Sequence, residues 1–311
     1  MDILVHLIKL AVGFALLAYG ANWLISGGAS LALRFGISST VVGLTIVSYG
    51  TSLPEFTVSL TSALSGSSPL AMGNIIGSNI ANIGLILGIA SLIRPISVNI
   101  ELIKRDLPLL LLTTLLLVAF AYDGHISRLE GMIFLSIGLS YTIYLIFFKK
   151  RKIVAVQGEL ATSNAKNYFL IFLGMLGLMA GGSLSVNGAV FFADYFGMSQ
   201  RIIGITIISI GTSLPELSAS VVAAFKHNSE IALGNVIGSN LFNIAFVLGA
   251  TSIINPLSFA SGFQLYMDLA LVGIITLLLL PIIYSSRKII RMEGFFLLLL
   301  YTSYIIYLII A

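Results

Sequence analysis

The chain alternates long apolar runs with short polar breaks. Ten runs can be distinguished, each close to the roughly 20 residues that a helix needs to cross a bilayer. Their approximate limits are 3–25, 38–64, 69–93, 106–122, 130–148, 168–190, 200–225, 230–254, 264–284 and 293–311. The pattern therefore predicts an all-α polytopic membrane protein with ten transmembrane helices.

The composition agrees with this class of protein. Of the 311 residues, 58% are hydrophobic and 9% are charged, whereas a soluble domain carries about 25% charged residues. The expected partner of most of the surface is therefore the lipid bilayer. The net charge of +4 comes from small groups between apolar runs, which does not indicate nucleic-acid binding. The absence of Cys excludes disulfides and thiolate chemistry in this sequence.

The basic residues are divided unequally between the two sides of the predicted bundle. Thirteen of the sixteen Lys and Arg residues follow spans 1, 3, 5, 7 and 9, and only Lys9, Arg128 and Arg201 lie on the other side. By the positive-inside rule, the side with thirteen is cytoplasmic. This predicts a multi-pass plasma-membrane protein with both termini extracellular and the 149–167 linker cytoplasmic.

The sequence is internally duplicated. Residues 43–95 align without a gap on 204–256 at an offset of 161, and 27 of the 53 aligned positions are identical. We therefore expect a first five-helix repeat at 1–148, a basic linker at 149–167, and a second repeat at 168–311. Because five is an odd number, the second repeat enters the membrane inverted, as in many secondary transporters.

Two acidic residues lie well inside apolar spans, at equivalent positions of the two repeats: Glu55 and Glu216. A carboxylate at the centre of a membrane helix costs roughly 2.5 to 3.5 kcal/mol on insertion scales. A buried Glu that is protonated or internally paired and serves packing is one interpretation. The recurrence of Glu in both halves, without a buried basic partner, favours a bound cation instead.

Each Glu ends a Gly-Thr-Ser-Leu-Pro-Glu motif, at 50–55 and at 211–216. Proline inside a helix displaces the carbonyl four residues earlier, and such a carbonyl can line an ion site. Helical spacing places Ser48, Thr51, Ser52, Glu55 and Ser59 on one face.

The next span of each half carries a second polar face, with residues spaced by four. Its members are Asn74, Ser78 and Asn82, repeated as Asn235, Ser239 and Asn243. For the asparagines, interhelical hydrogen bonding and ion ligation both remain open. The neighbouring glycines favour close helix packing.

These two faces supply carboxylates and neutral oxygens, with neither thiol nor imidazole. The three histidines, His6, His125 and His227, lie near span ends or in loops. Hard oxygen ligands suit Ca²⁺ and, by the same chemistry, Na⁺, and they disfavour Zn²⁺ and copper. Two carboxylates match the charge of one Ca²⁺, so an occupied site is near neutral. An empty site leaves two carboxylates unbalanced, so the charge balance favours obligatory exchange over a leak. It does not identify the counter-ion.

The paired motifs GTSLPE…GNIIGSNIANIG and GTSLPE…GNVIGSNLFNIAFVLG resemble the two repeats of the sodium/calcium exchanger family, within the Ca²⁺/cation antiporters. The resemblance covers nearly the whole chain. It implies that spans 2, 3, 7 and 8 form a core, across which spans 1 and 6 slide as a pair. It also implies a metal-ligand set of Glu55, Glu216, Ser52, Ser213, Thr51, Thr212, Asn82, Asn243, Ser78 and Ser239, with backbone oxygens of Ser48 and Ser209.

Two features depart from parts of that family. Archaeal and potassium-dependent members carry Asp at the position of Asn243, so this site has two carboxylates instead of three, which weakens the case for K⁺ co-transport. The short linker stands where animal exchangers place large Ca²⁺-sensing domains, so the resemblance is to the prokaryotic type.

The expected function is secondary antiport of Ca²⁺ against Na⁺ by alternating access, without a cofactor and without enzymatic activity. Ca²⁺/H⁺ antiport on the same fold is the alternative, because two carboxylates can also release protons. A cation channel is a remote alternative, disfavoured by the inverted duplication. No protease-type Asp pair or Ser-His dyad lies within the spans. The oligomeric state stays open.

Overall fold

The structure is a computed structural model, which describes residues 2–148, 164–198, 207, 209–258 and 263–310. The early linker residues and the start of the predicted span 200–225 thus lie outside the described residues. In chain order the helices are α1 (Asp2–Phe35), α2 (39–51), α3 (Leu53–Leu64), α4 (Ser68–Ile93), α5 (102–120), α6 (Arg128–Phe148), α7 (Asn164–Tyr195), α8 (Ser209–Thr212), α9 (Leu214–Phe225), α10 (Ser229–Ile254), α11 (Phe263–Ser286) and α12 (Arg291–Ile310).

Seven of these helices are long and apolar enough to cross a membrane: α1, α4, α6, α7, α10, α11 and α12. The chain is therefore a largely helical, multi-pass membrane protein. Helices α4 and α10 are the most deeply buried and form the centre of the bundle. Of the other predicted spans, 38–64 is divided into two helices, 106–122 is the single helix α5, whose regular α-helical part Leu107–Phe120 has 14 residues, and 200–225 extends outside the described residues.

The second predicted span, 38–64, is broken at its middle. Helix α2 ends at Thr51 and α3 begins at Leu53, because Ser52 leaves the helical conformation with φ −88° and ψ 8°. We expected Pro54 inside a helix, and this was wrong: it lies in the first turn of α3, where a missing N–H costs nothing. Ser213 makes the same break between α8 and α9, with φ −89° and ψ 5°.

Wide π-helical turns interrupt several helices. They cover Gly43–Val47 in α2, Asn82–Leu87 in α4, Leu102–Asp106 in α5 and Asn243–Leu248 in α10. The turns in α4 and α10 begin at Asn82 and Asn243, two of the candidate ligands. Such turns are frequent at functional sites because they redirect side chains locally.

Two short antiparallel strand pairs add to the expected all-α architecture. Strand β1 (Ile96–Ser97) pairs with β4 (Lys288–Ile289), and β2 (His125–Ile126) pairs with β3 (Leu257–Ser258). Each pair joins one loop of the first half to one loop of the second half. They therefore connect loops that the distribution of basic residues assigns to the same side of the membrane.

Helices α1 and α7 lie antiparallel in backbone contact along much of their length. Glycines recur every seven residues on both, at Gly13, Gly20 and Gly27 in α1 and at Gly174, Gly181 and Gly188 in α7. A Cβ on Gly20 would lie 2.8 Å from the Leu178 nitrogen. The absence of side chains at these positions is what lets the two backbones meet. It also explains why α1 continues to Phe35 instead of ending near residue 25.

Candidate cation site

Glu55 and Glu216 each lie in the first turn of a helix that starts at a break, α3 and α9 respectively, and both are fully buried. The N-terminal end of a helix carries partial positive charge, which stabilises a carboxylate there. The breaks at Ser52 and Ser213 therefore do more than bend the chain. They give each buried carboxylate a favourable helix terminus.

The two carboxylates are held by serines of the opposite half. Ser52 Oγ donates to Glu216 Oε1 at 2.6 Å, and Ser213 Oγ donates to Glu55 Oε1 at 3.3 Å. The second oxygen of each carboxylate, Oε2, has no hydrogen-bond partner although it is buried. Neither Glu forms an ion pair with Lys or Arg among the described residues. Each carboxylate thus keeps one acceptor available for a cation.

Threonine hydroxyls adjoin the serines. Thr51 Oγ1 donates to the Ser48 carbonyl at 3.2 Å and lies 3.3 Å from Asn235 Oδ1, across the boundary between the halves. Thr212 Oγ1 lies 3.3 Å from Asn74 Oδ1 in the corresponding contact. These contacts bring the predicted Thr and Ser residues of both breaks to one place in the bundle.

The serines of the second polar face occupy two different environments. Ser78 Oγ lies 3.5 Å from Ser213 Oγ, so it extends the set of hydroxyls around Glu55. Ser239 is also fully buried, and its hydroxyl has no partner.

The asparagines at the π turns are buried at the centre of the bundle. Asn82 Nδ2 donates to Asn240 Oδ1 at 2.9 Å, and Asn240 in turn donates to the Asn79 carbonyl at 3.3 Å. Asn243 has no partner for either its Nδ2 or its Oδ1. The two halves therefore differ here: the Asn82 amide is paired, whereas its counterpart Asn243 is unsatisfied.

Two of the predicted ligands are backbone oxygens, those of Ser48 and Ser209. The Ser48 carbonyl already accepts hydrogen bonds from the Ser52 N–H, at 3.0 Å, and from Thr51 Oγ1. Ser209 begins α8, and its side chain is outside the part of the chain that the structure describes. Their participation as ligands stays a prediction.

Partner-free buried polar atoms are concentrated at this site. Buried polar groups are normally hydrogen-bonded, so each exception needs an explanation. Six residues here supply such atoms: Glu55, Glu216, Asn79, Asn82, Ser239 and Asn243. Within the described ranges, no group of three or more His, Cys, Asp and Glu side chains is suited to a metal. The donor set is thus a carboxylate pair among neutral oxygens, which fits a hard cation such as Ca²⁺ or Na⁺.

The site is packed more tightly on one side than on the other. Helix α1 packs along α9, whereas α7 makes at most marginal contact with α3 within the described residues. Accordingly Leu53, Thr57 and Thr61 of α3 are exposed. The equivalent residues of α9 are half-buried: Leu214, Ser218 and Val222. Among the described residues, α3 is therefore the less covered side of the site, which we call the open approach, and α9 is the more covered side, which we call the closed approach.

Sequence reasoning missed Asn79 and Asn240 as site residues. The i, i+4 spacing selected Asn74, Ser78 and Asn82 and passed over Asn79, one residue away from Ser78. A usable signal was present, because Asn79 and Asn240 are identical at the offset of 161. Polar identities between the two halves are thus a better guide to this site than one helical face.

Fold and site together define a multi-pass membrane protein with a buried, duplicated oxygen site. The family model described as sodium/calcium exchanger protein matches residues 5–149 and 166–310. The chain belongs to this family, and it is of the short, prokaryotic type without a large cytosolic domain.

Relatives and solved structures agree with this membership. CaxA of Alkalimonas amylolytica, provisionally named as an antiporter, is 40% identical over 97% of this chain and 98% of its own. The sodium/calcium exchanger MaX1 of Methanosarcina acetivorans is 31% identical over 98% of this chain and 99% of its own. A structure of the sodium-calcium exchanger NCX_Mj superposes with a TM-score of 0.85 and 32% identity, covering 97% of each chain.

Proposed function

We propose that this protein exchanges Ca²⁺ for Na⁺ across the plasma membrane by alternating access of the site between Glu55 and Glu216. One observation carries the proposal. Two fully buried carboxylates from opposite halves each accept a hydrogen bond from a serine of the other half, and each retains an oxygen without a partner. Without a cation, such a pair is costly in lipid because of desolvation and mutual repulsion. Family membership supports cation antiport as the activity.

The ligand set that we propose keeps all twelve predicted residues. Glu55 and Glu216 supply the charge, and the other side-chain ligands are Ser52, Ser213, Thr51, Thr212, Ser78, Ser239, Asn82 and Asn243. Backbone oxygens of Ser48 and Ser209 complete the set. The unsatisfied oxygens of Asn82, Asn243 and Ser239 support their inclusion.

The proposed architecture is ten spans in two inverted five-helix repeats, 1–148 and 168–311, with the linker 149–167 in the cytoplasm and both termini outside. Equivalent breaks at Ser52 and Ser213 support it. The strand pairs support the predicted sidedness, because each joins two loops assigned to the same side.

The uneven packing around the site supports alternating access. With the proposed orientation, the open approach along α3 leads outside, and the closed approach along α9 leads to the cytoplasm. The exchanger family implies that α1 and α7 slide together, and their glycine contacts suit a pair that moves as one body. The opposite packing, with α7 against α3, would open the site to the cytoplasm.

Charge balance explains why transport would be an exchange. One Ca²⁺ neutralises the two carboxylates, so the loaded site can change sides without exposing net charge to a low-dielectric medium. The empty site carries two uncompensated carboxylates and resists the same movement. Na⁺ ions or protons can also compensate these charges, so the counter-ion has to be determined by experiment.

The test is transport by the purified protein in liposomes. Sodium-loaded vesicles diluted into sodium-free buffer should accumulate ⁴⁵Ca²⁺, and a proton ionophore should not abolish uptake. Uptake driven only by a pH gradient would replace the proposal by Ca²⁺/H⁺ antiport. Ca²⁺ entry that needs no counter-ion would indicate a channel.

A further inference from the structure

Asn74 and Asn235, which the proposed ligand set leaves out, make the same three contacts in the two halves. Asn74 Nδ2 donates to the Glu55 carbonyl at 3.2 Å and to Ser59 Oγ at 2.9 Å. Asn235 Nδ2 donates to the Glu216 carbonyl at 3.2 Å and to Ser220 Oγ at 2.9 Å. The repetition of this geometry indicates a built feature of the site.

The amide binds the backbone of the glutamate and not its carboxylate. Asn74 lies on α4, so its two donated hydrogen bonds fix the first turn of α3 against α4. This sets the rotation of α3 about its axis and hence the direction in which the Glu55 side chain points. The carboxylate itself is left free to meet Ser213 and a cation.

The oxygen of the same amide reaches the other half. Asn74 Oδ1 accepts from Thr212, and Asn235 Oδ1 accepts from Thr51. One side chain thus joins a Glu-bearing helix of its own half to a threonine at the break of the other half.

We propose that Asn74 and Asn235 are positioning residues of the cation site and not ion ligands, an inference that rests on the proposed function. Each uses both N–H groups and its oxygen in hydrogen bonds within the protein, whereas Asn243, a proposed ligand, has neither its Nδ2 nor its Oδ1 satisfied. The two amides set the separation and orientation of Glu55 and Glu216, and thereby the affinity of the site.

Substituting Asn by Asp distinguishes a positioning residue from an ion ligand, because the two roles predict opposite changes in Ca²⁺ affinity. Asn74→Asp keeps the shape, loses both donors and places a carboxylate oxygen against the Glu55 carbonyl. If Asn74 positions Glu55, Ca²⁺ binding weakens about threefold or more, because the hydrogen bond to the Glu55 carbonyl is lost and two acceptors face each other there, while Ser59 Oγ can donate to the new carboxylate. If Asn74 is a ligand, the added negative charge strengthens Ca²⁺ binding. Equilibrium binding of ⁴⁵Ca²⁺ to the purified, detergent-solubilised protein measures the difference.

Ser59→Ala provides a second variant with a milder change. It removes one partner of the Asn74 amide without touching the proposed ligands, and it should weaken Ca²⁺ binding about twofold to threefold. Its effect should largely disappear in an Asn74→Leu background, because the apolar side chain has already removed the link to Ser59. Unchanged binding in Ser59→Ala, or additive effects in the double variant, would overturn the positioning role.

Asn99→Asp is the matched control for added charge. Asn99 caps α5 by accepting from the Leu102 N–H at 2.8 Å, and Asp caps a helix equally well. Its Nδ2 also donates to Thr40 Oγ1 at 2.7 Å, and the Thr40 hydroxyl can donate to Asp in its place. It should leave Ca²⁺ affinity within twofold of the unmodified protein. If the unmodified protein itself binds no Ca²⁺, the proposed function fails. If it binds Ca²⁺ and Asn74→Asp binds more tightly, only the positioning role fails.

Discussion

Ser52 in the first half donates a hydrogen bond of 2.6 Å to Glu216 in the second half. Ser213 returns the contact to Glu55 at 3.3 Å. Each serine forms the one-residue break just before the helix that carries the glutamate of its own half. Each glutamate is thus oriented by the helix break of its own half, and its carboxylate is bound by the serine of the other half. The site exists only when both halves are assembled.

The carboxylate pair is the first target for mutation. Glu55→Gln and Glu216→Gln each remove one of two buried charges and leave the side-chain volume unchanged, so each should abolish exchange without preventing membrane insertion. Glu130→Gln is the matched control. Glu130 accepts from the Ser127 N–H at 2.7 Å in a capping box, where Gln also functions. Liposome ⁴⁵Ca²⁺ uptake should be normal in this control, and full uptake in either site variant would remove the site assignment.

The contact between α1 and α7 depends on glycine at its closest points. Gly20→Ala places a Cβ 2.8 Å from the Leu178 nitrogen and 2.9 Å from the Gly174 carbonyl, so the helices must separate. The expected loss of stability is about 1–3 kcal/mol, seen as a lower Tm in detergent. Gly73→Ala is the control because open space surrounds that position. Equal Tm values for the two variants would contradict the close packing described above.

Asp106 is a buried carboxylate away from the site, bound by Arg105 through contacts of 2.5 and 2.8 Å and by Tyr141 at 2.8 Å. Asp106→Leu should lower stability by about 3 kcal/mol, because it leaves the half-buried guanidinium without its counter-charge. The double variant Arg105→Leu/Asp106→Leu should recover most of that loss. Thermal unfolding in detergent provides the comparison. A double variant that is no more stable than Asp106→Leu would contradict this explanation.

Lys226 connects the end of α9 to α1 on the closed side. Its Nζ donates to Ser26 Oγ at 2.6 Å, and burial lowers its pKa from the usual lysine value. The equivalent position in the first half is Ser65, whose side chain is much shorter and carries no charge. Lys226→Met should therefore shift the protein towards the state that is open to the cytoplasm, by about threefold to tenfold, because it loses the hydrogen bond to Ser26 and a longer one to the Asn22 carbonyl at 3.4 Å.

Cysteine labelling measures this shift directly, because the chain has no Cys of its own. Reporter cysteines at Thr57→Cys and Ser218→Cys occupy equivalent positions on the open and closed approaches. In the Lys226→Met background, labelling should slow at Thr57→Cys and accelerate at Ser218→Cys. Identical rates with and without Lys226 would show that the lysine does not bias the equilibrium.

Much of the site could be predicted from the sequence because the sequence is internally duplicated. The offset of 161 paired Glu55 with Glu216 and Ser52 with Ser213 without any knowledge of the fold. The helical breaks were not accessible, since a proline in an apolar run is compatible both with a kink and with a new helix start. The cross-half partners of Asn240 and Asn82 were hidden for another reason. They depend on tertiary packing between helices that are far apart in sequence.

The helix ends and short strands show the same limitation. Glycine and serine near residues 26–30 look like a polar break, yet they continue α1, where Gly27 packs against α7 and Gly28 against α2. The strand pair between Ile96 and Ile289 involves two residues per strand. Such a segment is too short to show the period-2 alternation of a strand, so the local sequence does not predict it.

Competition between the two cations tests the central claim most directly. Purified protein equilibrated with ⁴⁵Ca²⁺ at constant pH and ionic strength should lose its bound Ca²⁺ as Na⁺ replaces choline. Glu55→Gln and Glu216→Gln should show no bound Ca²⁺ at the same concentration. Ca²⁺ that is displaced by lowering the pH but not by Na⁺ would contradict a site shared by Ca²⁺ and Na⁺.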